Sequence, residues 1–175
     1  MTKTFTAEFN FRAIWEYINT PDSSVTDAPS IKDNNTFQVI DELTNGTGAR
    51  DVASTVWHDI RSLSASSDES LDLSGSITDA FGDTLTFTIV RGLFVANLDE
   101  SSANTVLEIG AGTNAFSSFL GSATDKVKVA SGGVFCVWNP TAAGYAVTAG
   151  TGDVLKIANT SSDTACSYQV VIIGE

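Results

Sequence analysis

Between residues 84 and 89 the chain alternates without a break, Thr84, Thr86 and Thr88 interleaved with Leu85, Phe87 and Ile89. A period of two sends the threonines to one face and the large apolar side chains to the other, so the pattern predicts a half-buried β-strand. At Val90-Arg91-Gly92 the alternation stops, and a glycine inside a strand pattern marks a bulge or a close backbone approach. Apolar residues then resume over 93–98. Upstream, Leu71 and Leu73 are expected to form a short partner strand, with Gly82-Asp83 as the reversal between the two. The rest of the chain is expected to pack around this stretch.

Further short strands are expected at 36–43, 54–63, 105–109, 126–129, 134–138, 145–147, 154–158 and 168–173, separated by Gly, Ser, Asn and Asp. That spacing points to an all-β sandwich or barrel. Two runs, Val134-Phe135-Cys136-Val137-Trp138 and Val170-Val171-Ile172-Ile173, are apolar on both faces, so each should lie centrally or be covered by a neighbouring subunit. Residues 4–18 alternate through Phe5, Ala7, Phe9 and Phe11, which favours a strand, although 13–18 could also turn helical. Residues 20–34 hold two of the three prolines together with Ser and Asp and read as a loop or arm that docks elsewhere. Asn45-Gly46-Thr47-Gly48 is a turn signal suited to a tight hairpin. The organisation expected is therefore an N-terminal strand, arm and hairpin over 1–53, followed by a β-sandwich over 54–175.

A chain of 175 residues can bury roughly 70% of its unfolded surface around one core, so it needs no metal or disulfide to fold. Acidic residues outnumber basic ones by 21 to 9, and the resulting charge of −12 repels phosphate backbones and anionic membranes, which argues against nucleic-acid or membrane partners. The N-terminus lacks the apolar core of a signal peptide, and no apolar run approaches the ~20 residues of a membrane-spanning helix, so a soluble protein made in the cytoplasm is expected. Cys136 and Cys166 read as small core residues, with pairing between neighbouring strands as the alternative.

Chemistry-bearing motifs are few. Val106-Leu107-Glu108-Ile109-Gly110-Ala111-Gly112-Thr113 has the form of a glycine-rich methyltransferase loop, but residues 114–121 are too short and too rich in Ser, Gly and Phe for the helix that must follow, so a β-turn is expected. His58 is the single histidine, and Asp59, adjacent on a strand, would point to the opposite face and could not orient it. Asp68-Glu69 and Asp99-Glu100 lack the spacing of a calcium loop, and one histidine with two separated cysteines does not make a zinc site. Trp15, Trp57, Trp138, Tyr17 and Tyr145 could line a sugar platform, but core and subunit contact is the preferred reading. No catalytic, cofactor or metal residue is therefore assigned.

Five segments, VWHDIRSL (56–63), LDLSGSITDAFGDTLTF (71–87), DKVKVASGGVFCVWNP (125–140), AVTAGTGDVLKIAN (146–159) and YQVVIIGE (168–175), resemble a family of small β-rich virion proteins of tailed bacteriophages. The resemblance covers about two thirds of the chain and leaves out 1–55. It implies a jelly-roll-like β-sandwich with an extended N-terminal arm, working without cofactor or catalysis. The implied role is to decorate or cement the capsid by binding the major capsid protein in the virion, with a tail-associated adaptor or host-glycan-binding module as the alternative. Homo-oligomers, including trimers, are implied by the same analogy. Phe5, Phe9, Phe11, Trp15 and Tyr17 are the residues expected to contact the partner.

Overall fold

The computed structural model describes residues 4–19, 31–100 and 105–175, with the backbone alone at 17–19 and 31–35. Among the described residues the regular elements are strands: β1 (Thr6–Asn19), β2 (Ile31–Asn45), β3 (Val52–Ala53), β4 (Thr55–Leu63), β5 (Asp68–Asp72), β6 (Ile89–Asn97), β7 (Val106–Gly110), β8 (Lys126–Ala130), β9 (Val134–Trp138), β10 (Tyr145–Ala146), β11 (Val154–Asn159) and β12 (Cys166–Gly174). Of the segment expected as an arm, 20–30 lie outside the described residues, and 31–34 begin β2. The chain divides into two compact units, Met1–Thr6 with Leu43–Glu175, and Ala7–Glu42.

The larger unit holds two antiparallel sheets. In the first, β9 and β10 follow one another along one side of β6, β12 lies on its other side, and β4 pairs with the far side of β12. The second runs β5-β11-β7-β8. One core joins them: Trp57, Leu93, Val95, Val170 and Ile172 from the first sheet meet Leu107, Ile109, Leu155 and Ile157 from the second, all buried. Each such side chain contributes about 1.5–3 kcal/mol of burial free energy, which is what fixes strand register from one face. The arrangement is that of a β-sandwich.

Of the two doubly apolar runs, 170–173 lies centrally in β12, paired on both sides. The run 134–138 does not: β9 is an edge strand, with Val134 69% exposed. The expectation that both cysteines are core residues is corrected in the same place, since Cys166 is buried, Cys136 is exposed, and both thiols are free.

The stretch expected as the main strand is also corrected. β6 starts only at Ile89, and 84–88 holds no strand beyond a single antiparallel bridge from Thr84 to Thr78, although its burial alternates as the sequence predicts, with Phe87 buried and Thr86 and Thr88 exposed. Its amides bond singly to the preceding segment, Leu85 N–H to Ile77 O at 2.8 Å and Phe87 N–H to Leu73 O at 2.8 Å. Leu71 instead belongs to β5 and pairs with Leu155 in the opposite sheet. The reversal stands where it is expected, with Gly82 N–H bonded to Asp79 O at 3.0 Å and Gly82 at φ +88°. At 45–48 no tight hairpin forms: the loop carries the chain round so that Val52 and Ala53 pair parallel to Thr44 and Asn45.

The interruption at Val90-Arg91-Gly92 is a bulge. Ile173 lies opposite Gly92 and Gly174 opposite Val90, leaving Arg91 as the extra residue on β6. Gly92 serves a close approach, since a Cβ there would stand 2.8 Å from the Trp138 ring and 2.9 Å from that of Phe94.

The smaller unit is the β1–β2 hairpin, whose strands are neighbours. The Gln38 amide donates to Asn10 Oδ1 at 3.3 Å, and the Phe11 and Phe37 rings meet edge-on at 6.0 Å. Residue 10 thus faces 38 and residue 11 faces 37, an antiparallel register.

Candidate docking surfaces

That register sorts the hairpin's side chains. Phe9, Phe11, Trp15, Phe37 and Val39 fall on one face together with Asp41, and Glu8, Asn10, Arg12, Gln38 and Glu42 on the other with Ile14 and Ile40 among them. The first face is mostly apolar, and four of its side chains are exposed: Phe11 at 48%, Phe37 at 53%, and Trp15 and Val39. Exposed apolar side chains grouped in this way are found at interaction sites.

Of the five residues expected to meet a partner, Phe9, Phe11 and Trp15 share this face. Phe5 lies in the larger unit and is buried, and the Tyr17 side chain is outside the described residues. Phe37 and Val39 join the face without having been singled out from sequence. Their alternation within Thr36-Phe37-Gln38-Val39 is the signal that marks them.

Phe5 lines a cleft of about 540 Å³ along β4, with Trp57, His58, Asp59, Phe81 and Leu85. Trp57 is buried at its floor and so presents no open ring face to a sugar. Arg61 Nη1 donates to the Asp59 carboxylate at 2.9 Å, and Arg61 Nε donates to Glu69 at 2.7 Å. The other Glu69 oxygen accepts the Tyr168 hydroxyl. Burial, followed by the Glu69 carboxylate, pushes the Tyr168 phenol far above its ordinary range. Asp59 is thus engaged by Arg61, and the cluster reads as a bonded strut between the sheets.

The other motifs resolve similarly. β7 ends at Gly110, and Gly110, Ala111, Gly112 and Asn114 all have positive φ, so the glycine-rich segment is a turn with no helix behind it. Asp68 pairs with Lys156 at 3.2 Å, and among the described residues no group of three or more His, Cys, Asp or Glu side chains is placed to hold a metal ion. No helix among them is long and apolar enough to cross a membrane.

Comparison with protein-family models, with curated proteins and with solved structures finds no match to this chain.

Proposed function

We propose that the chain is a structural protein of a tailed-bacteriophage virion, which decorates and stabilises the capsid by binding the major capsid protein. The sandwich is read as a jelly roll. What supports that is strand order: β9-β6-β12-β4 in one sheet and β8-β7-β11-β5 in the other, so that the chain crosses between sheets at β4–β5, β5–β6, β6–β7, β8–β9, β10–β11 and β11–β12 while β7 and β8 stay together. Paired Greek keys of this kind recur in viral coat domains. The β1–β2 hairpin is the docking arm, and copies of the chain act as a symmetric group.

The observation that carries the role is the row of exposed apolar side chains Phe11, Trp15, Phe37 and Val39 on the β1–β2 hairpin. The test is cosedimentation of the full chain with shells of the major capsid protein. Phe11→Asp with Trp15→Asp is expected to abolish shell binding while the sandwich keeps its melting temperature. Undiminished binding by the double variant contradicts the proposal.

A further inference from the structure

We infer that β9 is a self-association edge, and that two copies pair their β9 strands antiparallel about a two-fold axis through Cys136, joining two five-stranded sheets into one. This deepens the homo-oligomer part of the reading above and does not depend on the capsid partner.

Among the described residues five strands of the sandwich lie at sheet edges; β10 is only two residues long, and two of the others carry like charges that oppose self-pairing. β5 has Asp68 and Glu69 and β8 has Lys126 and Lys128, whereas the Asp59 and Arg61 of β4 are already bonded to each other at 2.9 Å. β9 reads Val-Phe-Cys-Val-Trp, without charge or proline, and among the described residues β6 is the one strand bonded to it. Two copies at −12 each repel, so a joining edge must not set like charges opposite one another. Self-pairing of β5 would oppose carboxylates, and self-pairing of β8 would oppose lysines. Self-pairing of β9 opposes neither.

The strand is also complementary to itself. In antiparallel register about Cys136, Val134 of one copy faces Trp138 of the other and Phe135 faces Val137, so both flanking pairs are β-branched with aromatic, the favourable cross-strand combination. Pro140, with no N–H to give, limits the ladder at its end. The outer strip so formed continues onto Phe94, whose ring lies 6.2 Å from that of Trp138. This self-complementarity is what selects a second copy as the occupant. A five-residue ladder buries less than a standard interface, so the pairing is concentration-dependent.

The test is sedimentation of the full chain over a concentration series, with diamide cross-linking beside it. Directly opposed residues on antiparallel strands lie about 4.5–5.5 Å apart at Cα, within disulfide reach, so two Cys136 thiols give up two protons and two electrons to diamide and close an S–S bond. Cys166 is buried against Asn97 and stays silent. The expected results are a species of twice the 18.4 kDa chain mass and a cross-linked dimer absent in Cys136→Ser. Val134→Lys, at an exposed position, should keep the fold and Cys136 but give a monomer and slow cross-linking at least tenfold. A monomer at every concentration, an odd-numbered assembly, or cross-linking unaffected by Val134→Lys would overturn the inference. Loss of shell binding in the hairpin variant leaves these readouts unchanged, so the two proposals fail separately.

Discussion

Arg91 and Glu175 form an ion pair at 2.8 Å with both side chains sealed from solvent, although they stand 84 positions apart. Arg91 is the bulged residue of β6 and Glu175 follows β12, so the pair sits where the register of the sheet shifts. It also fastens the loop before β3, since Arg91 Nη2 donates to Ala49 O at 3.0 Å and Glu175 accepts Gly48 N–H at 2.5 Å.

Breaking a buried pair from one side strands a charge, which costs about 3–5 kcal/mol. Arg91→Met and Glu175→Leu should each lower stability by that order in urea unfolding. Arg91 Nε and Nη1 have no hydrogen-bond partner among the described residues, so the intact pair is itself incompletely compensated. The double variant should therefore recover part of the loss, with a coupling energy of roughly 1–3 kcal/mol. Additive losses would show that the two residues act independently.

Alkaline stability should depend on Tyr168. Its phenol is held protonated by burial and by Glu69, so its folded pKa lies above the ordinary 10.0. The stabilisation is complete below the unfolded value and declines as pH rises past it, because the unfolded phenol then releases a proton that the folded one keeps. Melting temperature should fall above about pH 10 more steeply in the wild type than in Tyr168→Phe. Parallel profiles would contradict this.

Acid should act through Asp153 and Glu108. The Ser74 hydroxyl, 2.7 Å from Asp153, and Lys126, 2.8 Å from Glu108, hold these carboxyls below their ordinary values of 3.8 and 4.5. Their contribution is present above those values and is lost as pH falls through the lower folded ones. Ser74→Ala should flatten the acid limb of a melting-temperature profile below about pH 4, and an unchanged limb would remove Asp153 from the account.

Asn159 is a buried clamp. Its amide nitrogen donates to Thr164 O at 2.8 Å, Ser64 O at 3.1 Å and Leu63 O at 3.3 Å, and its oxygen accepts Ser161 N–H at 3.0 Å. Asn159→Ala leaves these backbone groups unmatched and should cost about 1–3 kcal/mol by urea unfolding. A change under about 0.5 kcal/mol would place the loop's stability elsewhere.

Much of this fold is legible in sequence because turn residues punctuate it. The strands at 126–129, 134–138 and 154–158 fall within a residue of β8, β9 and β11. Alternation at 84–89 correctly reports which side chains are buried but says nothing of backbone partners, and the amides of Leu85 and Phe87 find single carbonyls in place of a ladder. A doubly apolar run cannot distinguish a central strand from an edge strand, which is why 134–138 and 170–173 read alike. The Arg91–Glu175 pair had only the break at Val90-Arg91-Gly92 to announce it, since nothing local joins residues so far apart. On the hairpin, the alternation at Phe9 and Phe11 was readable, whereas Phe37 and Val39 join that face only once the register is known.

Cryo-electron microscopy of the assembled particle, with this chain traced in the map, tests the central claim most directly. The account predicts density on the capsid lattice with the β1–β2 hairpin laid against the major capsid protein through Phe11, Trp15 and Phe37. Density confined to the tail or portal, or none on the particle, would contradict it.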